Sequence, residues 1–524
     1  MKPRWLIVAT LALVSAVVLA RLRTFSEPPE RDLTTYAVIA HELLAGRELY
    51  SDLWDHKPPA IHVTYAAAEL LAGYGLRAVY LLSVLATLLT MTGVFVAVRR
   101  GSDSDFAAYI AALFWVVIAN DFHLQGNSPN TEVFINAALA CAFALLIRLG
   151  PDDRHRSRRI LWIGVLFAVA TLYKHVAIAP VALLTLAHAV VPDRVRSIGI
   201  RIRIADLGTW AATGAFAWLA IAAYFAILGR FPDFWDAVFT YNRYYARGLA
   251  ENVAAGLKPG DLYPHSLRFL TPLIAMLCLG ALTGMRRAPR LWAVTVAYFL
   301  GSIVATGLHG GTYAHYYQLW LPAVVIGSAL AVVELWHALR GPGRWLAPLT
   351  AGIAFLIALK HELPSYTHPA HTWSVERYGT EYVAAAELGR MLGRYLDSTQ
   401  SFFSWGAESG LYFSSHRSPP TGTLYVMPLI AGPVSEALEA RTIRQLEQRA
   451  VQLVIVNKAP YFPMTAGFDS LLDADFERVP GSPALDTDKP LEFYVRRGAR
   501  IDPRILRWRY SGASVPTVGD ALPW

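Results

Sequence analysis

Long apolar runs, separated by short basic loops, are the feature that most limits how this chain can fold. Hydrophobic residues make up 55% of the 524 residues, charged residues make up 16%, and the mean hydropathy is +0.36. A helix that crosses a bilayer needs ~20 apolar residues, and many runs here approach that length. The sequence therefore predicts a mainly α, polytopic membrane helix bundle rather than a soluble globular protein.

We predict about eleven spans, each near the bilayer length or somewhat shorter. The apolar stretch Ile160–Val191 could be misread as one long span, but Lys174 interrupts it. The predicted spans are Trp5–Leu22, Leu76–Val98, Phe106–Ala119, Val133–Leu149, Ile160–Tyr173, Val176–Val191, Leu207–Leu228, Leu267–Thr283, Leu291–Thr306, Tyr317–Leu339 and Trp345–Leu359.

The first of these spans has a second interpretation, a cleaved signal peptide, because Lys2 and Arg4 precede an apolar stretch. That stretch ends in Ala16-Val-Val-Leu-Ala20, which lacks a convincing small-x-small cleavage site. We therefore expect the segment to remain as the first span.

Lysine and arginine accumulate in every second loop, and this alternation predicts the orientation in the membrane. With a cytoplasmic N-terminus, the basic loops are all cytoplasmic; they hold Arg99 and Arg100, five arginines in 148–159, four in 194–203, Arg286, Arg287 and Arg290, and Arg340 with Arg344. The net charge of +8 thus resides in loops between spans, which argues against a nucleic-acid partner.

The remaining loops then lie on the outer face of a bacterial inner membrane, and the residues of chemical interest lie there too. These outer segments are 23–75, 120–131, the turn at Lys174, 229–266, 307–316 and everything after Lys360. In the first outer loop, residues 33–46 and 60–72 have helical periodicity but are too short and polar to span. We expect them to be helices that lie along the membrane interface.

A polar, proline-held stretch between those two helices is the strongest candidate for the floor of a site. It reads Tyr50-Ser-Asp-Leu-Trp-Asp-His-Lys-Pro-Pro-Ala-Ile-His62. The two prolines fix φ and donate no N–H, so the backbone here is extended or turning. An ordinary loop between two spans is the alternative explanation.

Two lysines on the outer face are candidates for binding a phosphate. Lys57 is held stiffly before the prolines, and Lys174 stands between two spans. Ionisable groups at membrane depth are costly and usually face a cavity or a partner. Each lysine has an alternative role, in which its ammonium group simply snorkels to the interface.

Asp32 is the candidate general base, because it opens the helix that faces Lys57 on the outer side. On residue chemistry alone, an N-cap explains Asp32 at least as well. Glu132 opens a span on the same face and would bind a divalent metal ion or orient a substrate; a capping role is again the alternative. His315 begins the tenth span, beside tyrosines that are typical of an interface.

A second domain follows the last span. Residues 374–524 contain no further span and predict a small extracytoplasmic α/β domain, whereas residues 1–360 form the transmembrane domain. The two cysteines lie inside apolar runs, so we interpret them as small buried residues rather than a disulfide or metal pair.

Together these motifs resemble the family 39 type glycosyltransferases of the GT-C fold, which include protein O-mannosyltransferases and aminoarabinose-transferase-like enzymes. The resemblance rests on Asp32 before an interfacial helix, Gly46-x-x-x-Tyr50, Asp55-His-Lys-Pro-Pro59, Asn130-Thr-Glu132, Lys174 and His315-Tyr-Tyr-Gln-Leu-Trp-Leu-Pro322. It covers most of residues 23–322.

The resemblance implies an integral-membrane glycosyltransferase that takes a sugar from a polyprenyl-phosphate donor. Asp32 would then be the catalytic carboxylate, with Lys57 and Lys174 as donor-phosphate contacts, Tyr316 as a donor-site tyrosine and Glu132 as a second site carboxylate. The acceptor would be a glycan, lipid or protein hydroxyl.

Two departures from the family pattern matter. The pair Asp32-Leu33 stands where the family often has Asp-Glu, and His56 precedes the lysine where a carboxylate is sometimes found. His56 is itself a competent ligand, so a divalent metal ion remains a candidate cofactor. The competing function is a transporter or flippase of lipid-linked sugars, although we see no internal repeat of the kind such proteins carry.

Overall fold

The computed structural model describes most of the chain. The described residues are 3–151, 153–191, 198–246, 248–256, 267–308, 313–367, 375–376, 379–449, 451–481 and 491–509. Parts of the predicted loops at 194–203, 229–266 and 307–316, and the end of the predicted second domain, lie outside these residues.

Apolar helices make up the first two thirds of the chain and confirm a polytopic membrane bundle. Within the described residues, six helical stretches are long and apolar enough to cross a bilayer: Arg4–Ser26, Leu76–Ser102, Ile200–Ile227, Pro289–Gly307, Ala314–Ala338 and Gly341–Thr367. Shorter apolar helical stretches cover Ala60–Ala72, Asp105–Ile118, Thr131–Leu146, His175–Val190 and Arg268–Gly284. The count of about eleven spans stays a prediction.

Some α-helices in this part have bounds that differ from those of the apolar stretches, and others lie outside the stretches. They are Pro3–Ala20, Arg31–Leu44, Arg156–Tyr173, Ile178–Val190, Phe231–Trp235, Tyr241–Tyr245, Leu249–Gly256, Thr271–Gly284, Leu321–Ala338 and Leu346–Thr367. A π-helix at Asp236–Thr240 joins two of the short helices, and a 3-10 helix at Ala314–Trp320 leads into a long one.

Close helix contacts in the bundle depend on small residues. The indole of Trp292 is fully buried and occupies the space where side chains at Gly280 and Gly284 would lie. Gly301 meets the backbone of Pro180 in the same way. Membrane helices associate largely through such van der Waals packing, because lipid offers no hydrophobic driving force between them.

Residues 23–75, which the sequence predicts as the first outer loop, form the two predicted helices, Arg31–Leu44 and Ala60–Ala72. Between them the chain turns tightly at Tyr50, which has a φ of 70° and is fully buried. Its N–H donates to Leu53 O at 2.7 Å, and its hydroxyl donates to Lys57 O at 2.8 Å. These bonds fix the backbone of the proline-held stretch, as the sequence predicted.

The predicted N-cap role of Asp32 is wrong. Glu30 occupies the N-cap position, and Asp32 is the second residue of the helix, inside its first turn. The helix begins earlier because Pro28 and Pro29 keep the preceding chain extended as far as Glu30. The helix dipole still stabilises the ionised carboxylate of a residue in the first turn. The oxygens of Asp32, however, do not cap the helix.

A small sheet with flanking helices forms the C-terminal part, as predicted. Its four strands have the order β1-β2-β4-β3, with β1 parallel to β2 and the other two pairs antiparallel. The strands are β1 (Phe402–Trp405), β2 (Leu453–Asn457), β3 (Phe476–Arg478) and β4 (Leu491–Arg496). The helices are Thr380–Tyr395, Gly410–Ser415, Met427–Ile430, Ser435–Gln448, Ala466–Asp475 and Pro503–Leu506.

This α/β unit packs directly on the first outer loop. Trp54 N–H donates to Gly422 O at 2.9 Å, and the hydroxyls of Thr34 and Thr35 lie 2.7 and 2.9 Å from Ser409 Oγ. Residues of both parts share one hydrophobic cluster. The helix that carries Asp32 is therefore held from the side of the C-terminal unit.

Gly422→Ala should loosen this contact, because a Cβ at Gly422 would overlap the carbonyl of Asp52. Overpacking of this kind typically costs ~1–3 kcal/mol. We expect the variant to unfold at lower temperature and to release the C-terminal unit to protease sooner than wild type.

The matched control is Gly410→Ala, where an added Cβ would meet its nearest neighbours at 3.9 Å, an ordinary contact distance. Equal protease resistance of the two variants would contradict the tight approach at Gly422.

Candidate active site

The stretch that the sequence singled out forms a buried polar cluster. Asp55 Oδ1 accepts hydrogen bonds from the backbone N–H of His56 (2.8 Å) and from the Tyr425 hydroxyl (3.0 Å). Its second oxygen lies 3.2 Å from His62 Nε2. Burial alone would raise the pKa of Asp55, but its bonds with His56 and His62 hold the pKa well below the ordinary value. Asp55 is thus a fixed negative charge.

Lys57 lies next to this cluster, and its side chain is buried. Its Nζ lies 2.9 Å from His56 Nε2, and the other ring nitrogen of His56 lies 2.9 Å from the Tyr425 hydroxyl. Burial and the charge of Lys57 both lower the pKa of His56. His56 is therefore neutral, and it holds the Lys57 ammonium without cancelling its charge.

Lys174 is placed by a break between two helices. It follows the helix Arg156–Tyr173 in an extended conformation (φ −163°, ψ 135°), and the chain then resumes as a 3-10 turn. Its Nζ donates to Glu132 Oε1 at 2.8 Å and lies 4.0 Å from the ring centroid of Tyr316. Snorkelling does not describe this side chain, because it is buried in an ion pair rather than extended towards solvent.

Burial lowers the pKa of Lys174 to about 8, although the nearby Glu132 carboxylate opposes that shift. Lys174 is therefore cationic at neutral pH but close to losing its charge. Glu132 is fully buried in the first turn of the helix Thr131–Leu146, which Asn130 caps. Its part in this site is to hold Lys174.

Asp32 is half-buried and is held by neutral donors. Asn130 Nδ2 donates to Asp32 Oδ2 at 3.4 Å, while Asn130 Oδ1 accepts from the Tyr36 hydroxyl at 3.1 Å. Burial would raise the pKa of Asp32, but the positive charges of Lys57, His315 and Lys174 lower it below its ordinary value. The carboxylate is ionised at neutral pH and free to accept a proton.

His315 and Tyr316 lie in the 3-10 helix Ala314–Trp320, and both are buried. Their rings meet edge to face, with centroids 4.6 Å apart. Tyr316 lies against Lys174, and His315 is close enough to act on the charge of Asp32. The structure thus brings the predicted residues together from five separate stretches of the chain.

Two adjoining cavities lie beside these residues. The smaller, about 230 Å³, is lined by Lys57, Lys174 and Tyr316, together with Asn242 and Arg243. The larger, about 750 Å³, is almost wholly apolar and lies between the helices Arg156–Tyr173, Ile178–Val190 and Ile200–Ile227.

Phe239 and His175 line both cavities. A phosphate group in the polar cavity would thus leave its hydrocarbon chain at the entrance of the apolar one. Asp32, Glu132 and His315 do not line the polar cavity, and Glu132 is linked to it by its ion pair with Lys174.

The sequence did not identify three residues that line or brace this site. Arg243 and Asn242 belong to none of the sequence motifs, and the Asn242 amide donates to His56 O at 2.6 Å. Tyr425 lies about 370 positions from its partners in the chain, so no local pattern could have revealed it.

The predicted metal role of His56 does not fit its surroundings. Both ring nitrogens are engaged, one with Lys57 and one with Tyr425, so neither faces an open position. Among the described residues, the side chains close enough together to hold a metal ion are Asp121, His361 and Glu362, a group that excludes His56. We derive no step through a metal.

Comparison with solved structures decides the fold. The chain matches the crystal structure of ArnT from Cupriavidus metallidurans bound to undecaprenyl phosphate with a TM-score of 0.62 and 15% identity, covering 94% of this chain and 98% of that one. The chain has the GT-C fold. The apo structure of the same ArnT matches with a TM-score of 0.61 and 14% identity, covering 94% and 97%.

Sequence comparison supports the resemblance over part of the GT-C unit. Residues 56–225 match the model of the family described as dolichyl-phosphate-mannose-protein mannosyltransferase. This range begins at His56 and includes Lys57, Glu132 and Lys174. No curated protein matches the chain by sequence. The resemblance to GT-C glycosyltransferases drawn from the motifs is confirmed.

Proposed function

We propose that this protein is an integral-membrane glycosyltransferase that moves a sugar from a polyprenyl-phosphate donor to an acceptor hydroxyl. The observation that carries the proposal is the pair of adjoining cavities, one polar and lined by Lys57 and Lys174, the other apolar. An amphiphile with an anionic head and a hydrocarbon tail fits this arrangement, and a water-soluble nucleotide sugar does not.

The similar fold of ArnT supports the choice of donor, because that protein was crystallised with undecaprenyl phosphate. The two lysines and Arg243 would face the donor phosphate, and the isoprenoid chain would lie between the helices that line the apolar cavity. Tyr316 would buttress Lys174 through its ring face, a contact worth ~0.5–2 kcal/mol for a cation over an aromatic ring.

The proposed reaction is a single inverting displacement. The acceptor oxygen forms a bond to the anomeric carbon while the bond from that carbon to the phosphate oxygen breaks. The acceptor proton passes to the Asp32 carboxylate, and the electron pair leaves with the polyprenyl phosphate. Lys57 and Lys174 stabilise the negative charge that grows on the leaving phosphate, which is where preorganised cations contribute most.

We further propose that the reaction takes place on the outer face of a bacterial inner membrane. The arginine-rich loops support this orientation, since they alternate with the segments that carry the site. Residues 1–360 would be the catalytic membrane domain, and residues 374–524 would be a periplasmic domain that covers it. A reporter fused after Trp524 that is active only in the cytoplasm would refute this orientation.

Reconstituted protein tests the function directly. In liposomes that contain a polyprenyl-phosphate sugar labelled in its sugar and an unlabelled acceptor mixture, we expect label to join the acceptor and free polyprenyl phosphate to appear in equal amounts. Movement of the intact sugar lipid across the bilayer without its cleavage would instead favour the transporter.

Loss of the Lys174 charge should weaken donor use. Lys174→Ala alone would remove the ion-pair partner of the buried Glu132 carboxylate, and breaking a buried pair in this way typically costs about 3–5 kcal/mol, so the informative variant is Lys174→Ala combined with Glu132→Gln. A charge-assisted contact is worth ~1.5–3 kcal/mol, which predicts that the donor KM rises about tenfold to a hundredfold at saturating acceptor.

The pH dependence provides an internal check. Lys174 is cationic below a pKa of about 8, so wild-type kcat/KM for the donor should fall as the pH rises through that value. Lys174→Arg keeps its charge and should abolish this fall. The control is Lys360→Ala, an exposed lysine near a helix end. An unchanged donor KM in the double variant would remove Lys174 from the phosphate site.

A further inference from the structure

Tyr425 connects the C-terminal unit to the cationic site through one hydroxyl group. The hydroxyl donates to Asp55 Oδ1 at 3.0 Å and lies 2.9 Å from His56 Nδ1. Because its single proton goes to the carboxylate, its lone pair accepts from His56 Nδ1–H. Asp55 Oδ1 lies 3.3 Å from the same Nδ1 and favours the same tautomer. The proton of the neutral His56 ring is therefore on Nδ1.

This assignment determines what the other ring nitrogen can do. With the proton on Nδ1, His56 Nε2 carries a lone pair, and Lys57 Nζ–H lies 2.9 Å away as a donor. The opposite tautomer would place an N–H against an ammonium, and the contact would be repulsive. In histidine sites generally, the bond made by one nitrogen fixes the state of the other.

The backbone that presents Tyr425 is itself well fixed. Val426 N–H donates to Gly406 O at 2.8 Å, just beyond β1, and Trp54 N–H donates to Gly422 O at 2.9 Å. Tyr425 thus links the position of the C-terminal unit to that of the loop that carries Lys57.

We propose that Tyr425 is a positioning residue for the donor-phosphate site, which holds His56 in the tautomer that fixes the Lys57 ammonium. This inference rests on the proposed function for its role in donor binding. It gives the C-terminal unit a part in the active site: when that unit is docked, Lys57 is held at one point of the polar cavity, and when it is not, Lys57 is released.

The test compares Tyr425→Phe with wild type in donor kinetics. Loss of one hydroxyl should raise the donor KM about twofold to tenfold, the range that one hydrogen bond allows, and change kcat less. His56→Ala should raise the donor KM at least as much. In the His56→Ala background, Tyr425→Phe should add nothing, because the effect passes through the ring.

The matched control is Tyr412→Phe. The Tyr412 hydroxyl is also buried in the C-terminal unit, but it accepts from Ser404 N–H and does not touch the site. This variant should melt at lower temperature without a change in donor KM. A purely structural role for Tyr425 would make the two variants behave alike, and independent, multiplying effects of Tyr425→Phe and His56→Ala would overturn the proposal.

A donor-free measurement separates this inference from the proposed function. In Tyr425→Phe, the His56 ring no longer holds Lys57 Nζ at a fixed point 2.9 Å from Nε2, so a small amine-acylating reagent should reach and modify Lys57 faster, as followed by mass spectrometry. Tyr412→Phe should modify it at the wild-type rate. If wild type transfers no sugar but Tyr425→Phe still accelerates modification, the function fails and the positioning stands. If wild type transfers sugar and both readouts are unchanged in Tyr425→Phe, the positioning fails alone.

Discussion

Replacing Asp32 by Asn should lower kcat for sugar transfer by about 10²–10⁴-fold, the range that a positioned general base contributes. The amide has nearly the same shape and can still contact Asn130, so the fold and the donor KM should change little. The physical reason is that Asn cannot accept the proton of the acceptor hydroxyl as it attacks. Single-turnover measurements at saturating donor and acceptor isolate this step.

Asp52→Asn is the matched control for Asp32. Asp52 lies in the same outer loop, and its carboxylate accepts from the backbone N–H of Glu48 at 3.1 Å, a contact that an amide oxygen can replace. This variant should transfer sugar at close to the wild-type rate. Near-wild-type turnover by Asp32→Asn would remove Asp32 from the role of base and leave the acceptor proton to be taken by solvent.

Replacing Lys57 by Ala should lower kcat/KM for the donor by about 10²–10³-fold, the loss seen when one preorganised charge-stabilising donor is removed from an active site. Lys57 differs from Lys174 in a useful way. Its direct partner is the neutral ring of His56 rather than a carboxylate. The substitution therefore leaves no ion-pair partner behind, and the variant should insert and fold.

Lys458→Ala serves as the control for Lys57, since Lys458 makes a long, partly exposed contact of 3.9 Å with Glu492 in the C-terminal unit. Such pairs contribute ~0–1 kcal/mol. Thermal unfolding of all variants should stay close to wild type. If Lys57→Ala bound and used the donor as well as Lys458→Ala does, the phosphate would have to be held by Lys174 and Arg243 instead.

Much of the fold was accessible from the sequence because membranes impose simple rules. Apolar runs and alternating arginine loops predicted the helix bundle, and turn and strand patterns predicted the C-terminal α/β unit. Lys57 was found because it is a charged residue beside two prolines in an apolar chain, and Asp32 because it opens a predicted interfacial helix. The helix begins at Arg31, two residues earlier than predicted, so Asp32 lies inside the first turn and does not cap the helix.

By itself, the sequence determined which residues are charged and that the chain folds as a polytopic helix bundle, and it predicted which charges share one membrane face. Only the tertiary structure decided how those charges are paired. Lys174 was predicted as a lone cation, yet it pairs with Glu132, from a different helix. His56, next to Lys57, was predicted as a metal ligand, yet one of its ring nitrogens lies beside the Tyr425 hydroxyl and the other beside Lys57 Nζ. The physical reason is that periodicity encodes burial along one element, whereas an ion pair or a tautomer depends on distances of a few ångströms between distant segments, which are set only when the helices and the C-terminal unit pack together.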